Sequence, residues 1–276
     1  MWSHLLVDGT ETAEFQYVRY VPKPPMDASI KPSRTSTNPS PSGVGIDPSY
    51  ADDIYALGKV APILDLASPA ITCGRDAAAS GPTTSTADVL AGSEIGFRLS
   101  DITASVNPPS HVFHPGPGQA YLARPPDDGT RLEDYAGHDA DWFKIDTAGP
   151  VDDDNWKLFN KREIRDPKRT PRQTKPSRFP QYNFTIPAST PPGKYLLRIE
   201  QFMPTAIYNV TQWYPNCAQI NVLGKGGGVP TGFARFPGTY KVDDPGILIS
   251  EEMAAYPPDA RNLSYYAAPG PAVWTG

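Results

Sequence analysis

Apolar and polar residues alternate most clearly between residues 193 and 222, GKYLLRIEQFMPTAIYNVTQWYPNCAQINV. Successive side chains of a β-strand point to opposite faces, so over 195–200 Tyr195, Leu197 and Ile199 fall on one side, with Arg198 and Glu200 on the other. From Cys217 the alternation resumes, with Ala218, Ile220 and Val222 set against Gln219 and Asn221. Two strands joined by a loop are predicted here. Gln212-Trp213-Tyr214-Pro215 stands at the entrance to the second strand, just before a cysteine. An amide and a phenol two residues apart share a face, which suits a rigid surface site; a tyrosine packed into an ordinary core fits the spacing equally.

The same period of two recurs in short pieces. Leu5-Leu6-Val7 runs into Asp8-Gly9, a strand ending in a turn, and 15–21 is a second extended candidate. Residues 89–99 place a Gly-Ser turn before alternating Ile95, Phe97 and Leu99. Residues 111–123 begin with two histidines and close in a short strand, and Trp142-Phe143-Lys144-Ile145 forms another. Residues 70–73 read as a strand end, and 52–66 as one short helix. The proline-set segment 186–193 leads into the 195–200 strand, and short pieces follow at 233–240 and 245–249. Residues 23–45 are rich in Pro, Ser and Thr, 151–177 are charged and irregular, and 256–276 have no periodicity. Many short strands between Gly/Pro turns predict an all-β, antiparallel β-sandwich with long loops and little helix. Without a repeat or a boundary signal, 1–276 reads as one domain with a Pro-rich insertion at about 23–70 and an extended tail from about 250.

Composition narrows the classes. Of the 276 residues 39% are hydrophobic, enough for a core, yet no run approaches the roughly 18 apolar residues of a spanning helix. Thirty-three prolines and 23 glycines disfavour long helices. The net charge is −5, and the densest basic stretch, 161–178, is interrupted by Pro, Asp and Glu, so nucleic acid is a poor partner. Cys73 and Cys217 are either two buried thiols or one long-range disulfide, the latter contributing on the order of 4–5 kcal/mol by chain entropy. Acceptor triplets at Asn183, Asn209 and Asn262 favour export, although no positively charged or apolar leader precedes the first strand. Asp127-Asp128 and the acidic run 152–154 offer the paired carboxylates of a glycosidase, but their turn-rich settings fit solvated loops better.

The four histidines are His4, His111, His114 and His138. His111 and His114, three apart, form a small metal site if they share a turn, and Pro115 restricts the backbone after His114.

Longer motifs carry a resemblance. YLLR with Glu200, then Q-x-Y-P-x-C-A-Q-I-x-V over 212–222, then FPG-x-Y-x-x-x-DPGILI over 236–249, resemble fungal lytic polysaccharide monooxygenases of auxiliary activity family nine. His114-Pro115-Gly116-Pro117 with Tyr121-Leu122-Ala123, Trp142-Phe143-Lys144, Gly9, Val18-Arg19 and Pro269-Gly270-Pro271 with Trp274 extend it over nearly the whole chain; 23–70 and 155–180 fit poorly. The resemblance implies an immunoglobulin-like sandwich, secreted and monomeric, holding one copper ion in a brace made by an N-terminal histidine and one further histidine. It also implies an electron donor (a small reductant or a redox protein) and oxidative cleavage of cellulose or a related β-glucan. His114 matches the second brace ligand, Tyr214 the axial tyrosine, Gln212 the glutamine beside it, and Cys73–Cys217 a family disulfide. Thr205 stands where the family keeps a histidine, and a hydroxyl can donate a hydrogen bond but cannot take up and release a proton near neutral pH as an imidazole does. Aligned on 5–9, the first brace histidine falls one or two positions before Met1. His4 is the nearest substitute, three residues from the amino group and unable to close the same chelate ring. The alternative is a non-catalytic relative with an incomplete brace that binds polysaccharide or a cell-wall partner.

Overall fold

A computed structural model of the chain describes residues 2–21, 62–100, 112, 114–159, 181–255 and 262–276. The helix expected over 52–66 and the insertion at 23–70 lie largely outside these residues, as do the basic stretch at 161–178 and His111. Ten strands follow in order: β1 (Trp2–Val7), β2 (Thr10–Glu11), β3 (Ala87–Leu90), β4 (Glu94–Leu99), β5 (Gly118–Ala123), β6 (Trp142–Ala148), β7 (Gln181–Thr185), β8 (Gly193–Met203), β9 (Gln212–Leu223) and β10 (Phe233–Ala234). They form a β-sandwich of a four-stranded sheet, β2-β1-β4-β7, and a six-stranded sheet, β10-β6-β5-β8-β9-β3. Pairing is antiparallel except at one edge, where β3 runs parallel to β9.

The alternating stretch becomes the β8–β9 hairpin, paired without a register shift from Gly193↔Val222 to Met203↔Gln212. Its apolar row (Tyr195, Leu197, Ile199, Ala218, Ile220, Val222) meets Phe97, Tyr182 and Phe184 of the other sheet in the main core. The opposite face is not left to water. Leu196, Phe202, Trp213 and Cys217 pack there against Ile63, Ile71, Cys73, Phe236 and Tyr240 in a second core roofed by loops. Arg198, Glu200, Gln119 and Gln219, polar in the alternation, are therefore fully buried.

Two local expectations change. Residues 70–73 are a helical turn, α1 (Ala70–Cys73), not a strand end. The last carbonyls of a helix lack internal partners, and Arg198 supplies them: its Nε donates to the Thr72 carbonyl at 2.8 Å and its Nη2 to Ile71 at 2.9 Å. The stretch 15–21 is not a strand either. Phe15 takes a left-handed φ of 56°, and only Val18 bridges β9, at Ala218. The turn after β1 is as expected: Asp8 (φ 48°) and Gly9 (φ 73°) occupy the left-handed region that a two-residue hairpin onto β2 requires. Cys73 and Cys217 are bonded, tying α1 to β9. The aspartates of 152–154 sit in an exposed turn, where Asp152 accepts from the Asp154 and Asn155 amides.

Candidate metal centre

The apolar row on the inner face of the hairpin ends before the hairpin does. Beyond Ile199 it continues as Gln201 on β8, and beyond Ala218 as Asn216, Tyr214 and Gln212 on β9. The core face thus turns polar at the open end of the sandwich, and the site is built there. Tyr214 and Gln212 are half-buried, and the Tyr214 hydroxyl donates to Gln212 Oε1 at 2.7 Å. Trp213 points the other way, 1% exposed, stacked between Phe202 at 4.2 Å and Tyr240 at 4.9 Å.

Gln201 lies directly across from Tyr214 in the register and donates from Nε2 to the His114 carbonyl at 3.1 Å. The Phe202 amide donates to the Pro117 carbonyl at 3.2 Å. These two bonds pin the His114 segment along β8. Gly116 permits the approach, since a Cβ there would stand 1.9 Å from the Phe202 carbonyl oxygen. The His114 ring consequently lies over the Tyr214 ring, centroids 5.9 Å apart and planes within 18°. Burial pushes the His114 imidazole down to about 4, so it is neutral over the ordinary pH range. Arg75 stands close to Tyr214: burial lowers its guanidinium, while the charge of Asp76 and the Tyr214 hydroxyl work the other way.

The other expected residues fall elsewhere. Thr205 lies just past the end of β8, its hydroxyl donating to the Ile207 carbonyl at 2.9 Å. His4 lies on β1, where Nδ1 donates to the Thr12 carbonyl at 3.0 Å and Nε2 accepts from Arg98 at 3.2 Å. Both its ring nitrogens are engaged, which leaves it no free lone pair for a metal. His138 is exposed on a loop. Gln201 and Arg75 carry no site signal in the sequence, and Gly116 stands in the His114 motif without its packing role showing. Gln201 continues the visible alternation by one step, but its pairing with Tyr214 depends on a register that only the folded hairpin sets.

An imidazole and a phenol with stacked rings offer nitrogen and oxygen donors of the kind that fit a late first-row divalent ion, copper above all. Among the described residues no three His, Cys, Asp or Glu side chains converge to hold a metal.

Fold and site together define a β-sandwich protein with an imidazole and a phenol stacked near the loop end of the β8–β9 hairpin. The model of Auxiliary Activity family 9 (formerly GH61) matches residues 2–258, and the chain belongs to that family. It is 46% identical over 277 residues to the AA9 family lytic polysaccharide monooxygenase U of Thermothielavioides terrestris, covering 99% of this chain and 90% of that protein. The AA9 family lytic polysaccharide monooxygenase C of Emericella nidulans is 37% identical over 223 residues, 78% of this chain and 79% of its own. Among solved structures, the extended catalytic domain of H. jecorina LPMO9A superposes with a TM-score of 0.62 at 24% identity, covering 100% of this chain and 91% of that one. A cellulose-active polysaccharide monooxygenase from M. thermophila gives 0.63 at 20% identity, covering 100% and 98%.

Proposed function

We propose that this protein is a secreted, copper-dependent monooxygenase that oxidatively cleaves β-1,4-glucan chains, cellulose first among them. The observation that carries the reading is the His114–Tyr214 stack at 5.9 Å, Tyr214 lying on the hairpin that carries the resemblance. Membership of a family whose named relatives are lytic polysaccharide monooxygenases supports the reaction class. The Cys73–Cys217 bond supports an oxidising compartment. No helix among the described residues is long and apolar enough to cross a membrane.

His114 and Tyr214 would hold the ion, with the amine and imidazole of an amino-terminal histidine completing the brace. Copper, reduced by a small reductant or a redox protein, would supply the oxygen or peroxide activation that removes hydrogen from a glycosidic carbon. The chain's own part is positioning. The Tyr214 hydroxyl donates to Gln212 Oε1, which fixes the phenol's rotation and leaves the Gln212 amide nitrogen as a donor on the same face. Thr205 spends its hydroxyl proton on Ile207 and does not relay protons.

The test is copper titration followed by product analysis on cellulose with ascorbate, using protein whose amino end is a histidine just before Met1, and its His114→Ala variant. Tight copper binding and oxidised oligosaccharides, both lost in H114A, are expected. Copper affinity indifferent to His114, or cellulose capture without oxidised products, overturns the proposal.

A further inference from the structure

Four large apolar side chains face water beside the site. Ile207, Tyr208 and Val210 on the β8–β9 loop are 47%, 66% and 40% exposed, and Leu64 is 51% exposed. Leu64, Asn209, Thr211 and Trp213 line one shallow cleft, so Leu64 and the loop border the same depression. A single exposed apolar residue is ordinary, but a group at one spot calls for a cover. In its midst stands Asn209, and Asn209-Val210-Thr211 is an acceptor triplet for N-linked glycan.

The three triplet asparagines differ in their side-chain nitrogens. Asn183 lies on β7 and donates its Nδ2 to Glu94 at 3.3 Å. Asn262 donates its Nδ2 to Glu252. Asn209 is exposed on the loop at a left-handed φ of 59°, and its carboxamide makes no hydrogen bond among the described residues. The reactive nitrogen is open at this position alone of the three.

We propose that Asn209 carries an N-linked glycan whose first sugars lie over Ile207, Tyr208, Val210 and Leu64, the apolar faces of the pyranose rings covering what the protein leaves in water. The reaction is a group transfer from a lipid-diphosphate-linked oligosaccharide. The anomeric C–O bond to the diphosphate breaks, a C–N bond to Asn209 Nδ2 forms, and the amide proton leaves as the lipid diphosphate departs. No electrons are exchanged. In the folded chain the Thr211 hydroxyl is buried and donates to the Ile247 carbonyl at 3.2 Å. Transfer therefore precedes closure of this loop, on a chain entering the secretory compartment, so the inference rests on the export proposed above. The folded structure then decides where a glycan is kept without displacing a side-chain hydrogen bond, which is Asn209 and not Asn183 or Asn262.

The experiment forces export, so that its failure is separate from failure of the copper reading. The chain is secreted from a fungal host behind a foreign signal peptide, and its glycopeptides are mapped by mass spectrometry after enzymatic release in heavy-oxygen water. Asn209 is expected to be occupied, and Asn209→Asp, which keeps the side-chain size and tolerates the left-handed backbone, is expected to lose one glycan's mass. N183Q and N262Q leave the mass unchanged. By sedimentation, N209D self-associates at concentrations where the glycosylated protein stays monomeric. An unmodified Asn209 in the exported protein, or mass lost in N183Q or N262Q instead, overturns the site. N209D that stays monomeric overturns the covering role. Weaker cellulose capture by Y208A with Asn209 unmodified assigns the patch to polysaccharide instead.

Discussion

Arg198→Met is the most informative perturbation of the scaffold beneath the site. The arginine is fully buried, and its guanidinium makes three hydrogen bonds, to Glu200 Oε2 at 2.6 Å, the Thr72 carbonyl at 2.8 Å and the Ile71 carbonyl at 2.9 Å. Its Cζ also lies 3.9 Å over the Phe236 ring. Methionine keeps much of the stem volume but removes all three bonds and strands the Glu200 carboxylate, to which Gln119 and Tyr240 still donate. Removing one member of a buried pair costs about 3–5 kcal/mol, because the charge left behind stays desolvated. Three charge-assisted bonds at roughly 1.5–3 kcal/mol each would exceed that, offset in part by sparing the burial of the guanidinium. A loss of about 4 kcal/mol is expected. For a chain of this size, about 2 °C per kcal/mol converts it to a fall of about 8 °C in Tm. Calorimetry and reversible urea unfolding measure it. R198M/E200Q, which removes both charges and keeps an acceptor for Tyr240 and Gln119, should recover more than half of the loss. A fall under about 2 °C in the single variant, or a double variant as unstable as the sum of the two singles, refutes the coupling.

Other perturbations follow from single contacts. C73A/C217A opens a loop with a sequence separation of 144 residues, and chain entropy sets the loss at about 5 kcal/mol; a fall in Tm of less than about 4 °C would rule that account out. Gly116→Ala drives a methyl into the Phe202 carbonyl and should cost about 1–3 kcal/mol while loosening the His114 segment, seen as weaker copper binding; affinity and stability both at the wild-type level would contradict it. Lys144 is buried against Tyr121, donates to the Pro269 carbonyl, and is lowered to about 8 chiefly by burial. The folded chain then binds fewer protons than the unfolded chain between about pH 8 and 10.5, so the lysine's contribution to stability rises with pH across that window and is smallest below it. Denaturation curves from pH 7 to 10.5 should show a rise in the wild type that is diminished in K144M; identical slopes would exclude Lys144 as its source.

The alternation of 193–222 was enough to read both hairpin strands and their core-facing rows, and the Asp8-Gly9 turn was equally plain. It could not show that the polar side would be buried as well. A strand with one polar face ordinarily meets water on that face, and whether loops roof it depends on distant segments such as α1 and the 236–247 stretch. The misread at 70–73 has the same origin, since the turn is held by an arginine more than a hundred positions away. The strand expected at 15–21 failed for a local reason, the left-handed Phe15. The motifs bring out His114, Gln212 and Tyr214, and the structure sets the three side by side. Gln201, and the packing role of Gly116 within the His114 motif, were not legible, because their work consists of contacts across the sheet rather than any chemistry of their own.

Those contacts also say what the Thr205 position does. Tyr214 is restrained from three directions: the disulfide at Cys217 three residues along, the Phe202–Trp213–Tyr240 stack behind, and the cross-strand Gln201 that ties in His114. Donor groups fixed by separate restraints keep their spacing before any ion arrives, and preorganisation of that kind needs no help from the adjoining loop. Thr205 belongs to the loop. Its amide donates to the Ile247 carbonyl at 3.3 Å, its carbonyl accepts from the Ile249 amide at 3.0 Å, and its hydroxyl closes on Ile207. The amide and carbonyl bind the β8–β9 loop to the 247–249 segment and the hydroxyl holds the loop's own turn, so the residue sets where Ile207, Tyr208 and Asn209 are displayed and has no part in the copper chemistry proposed for His114, Tyr214 and Gln212.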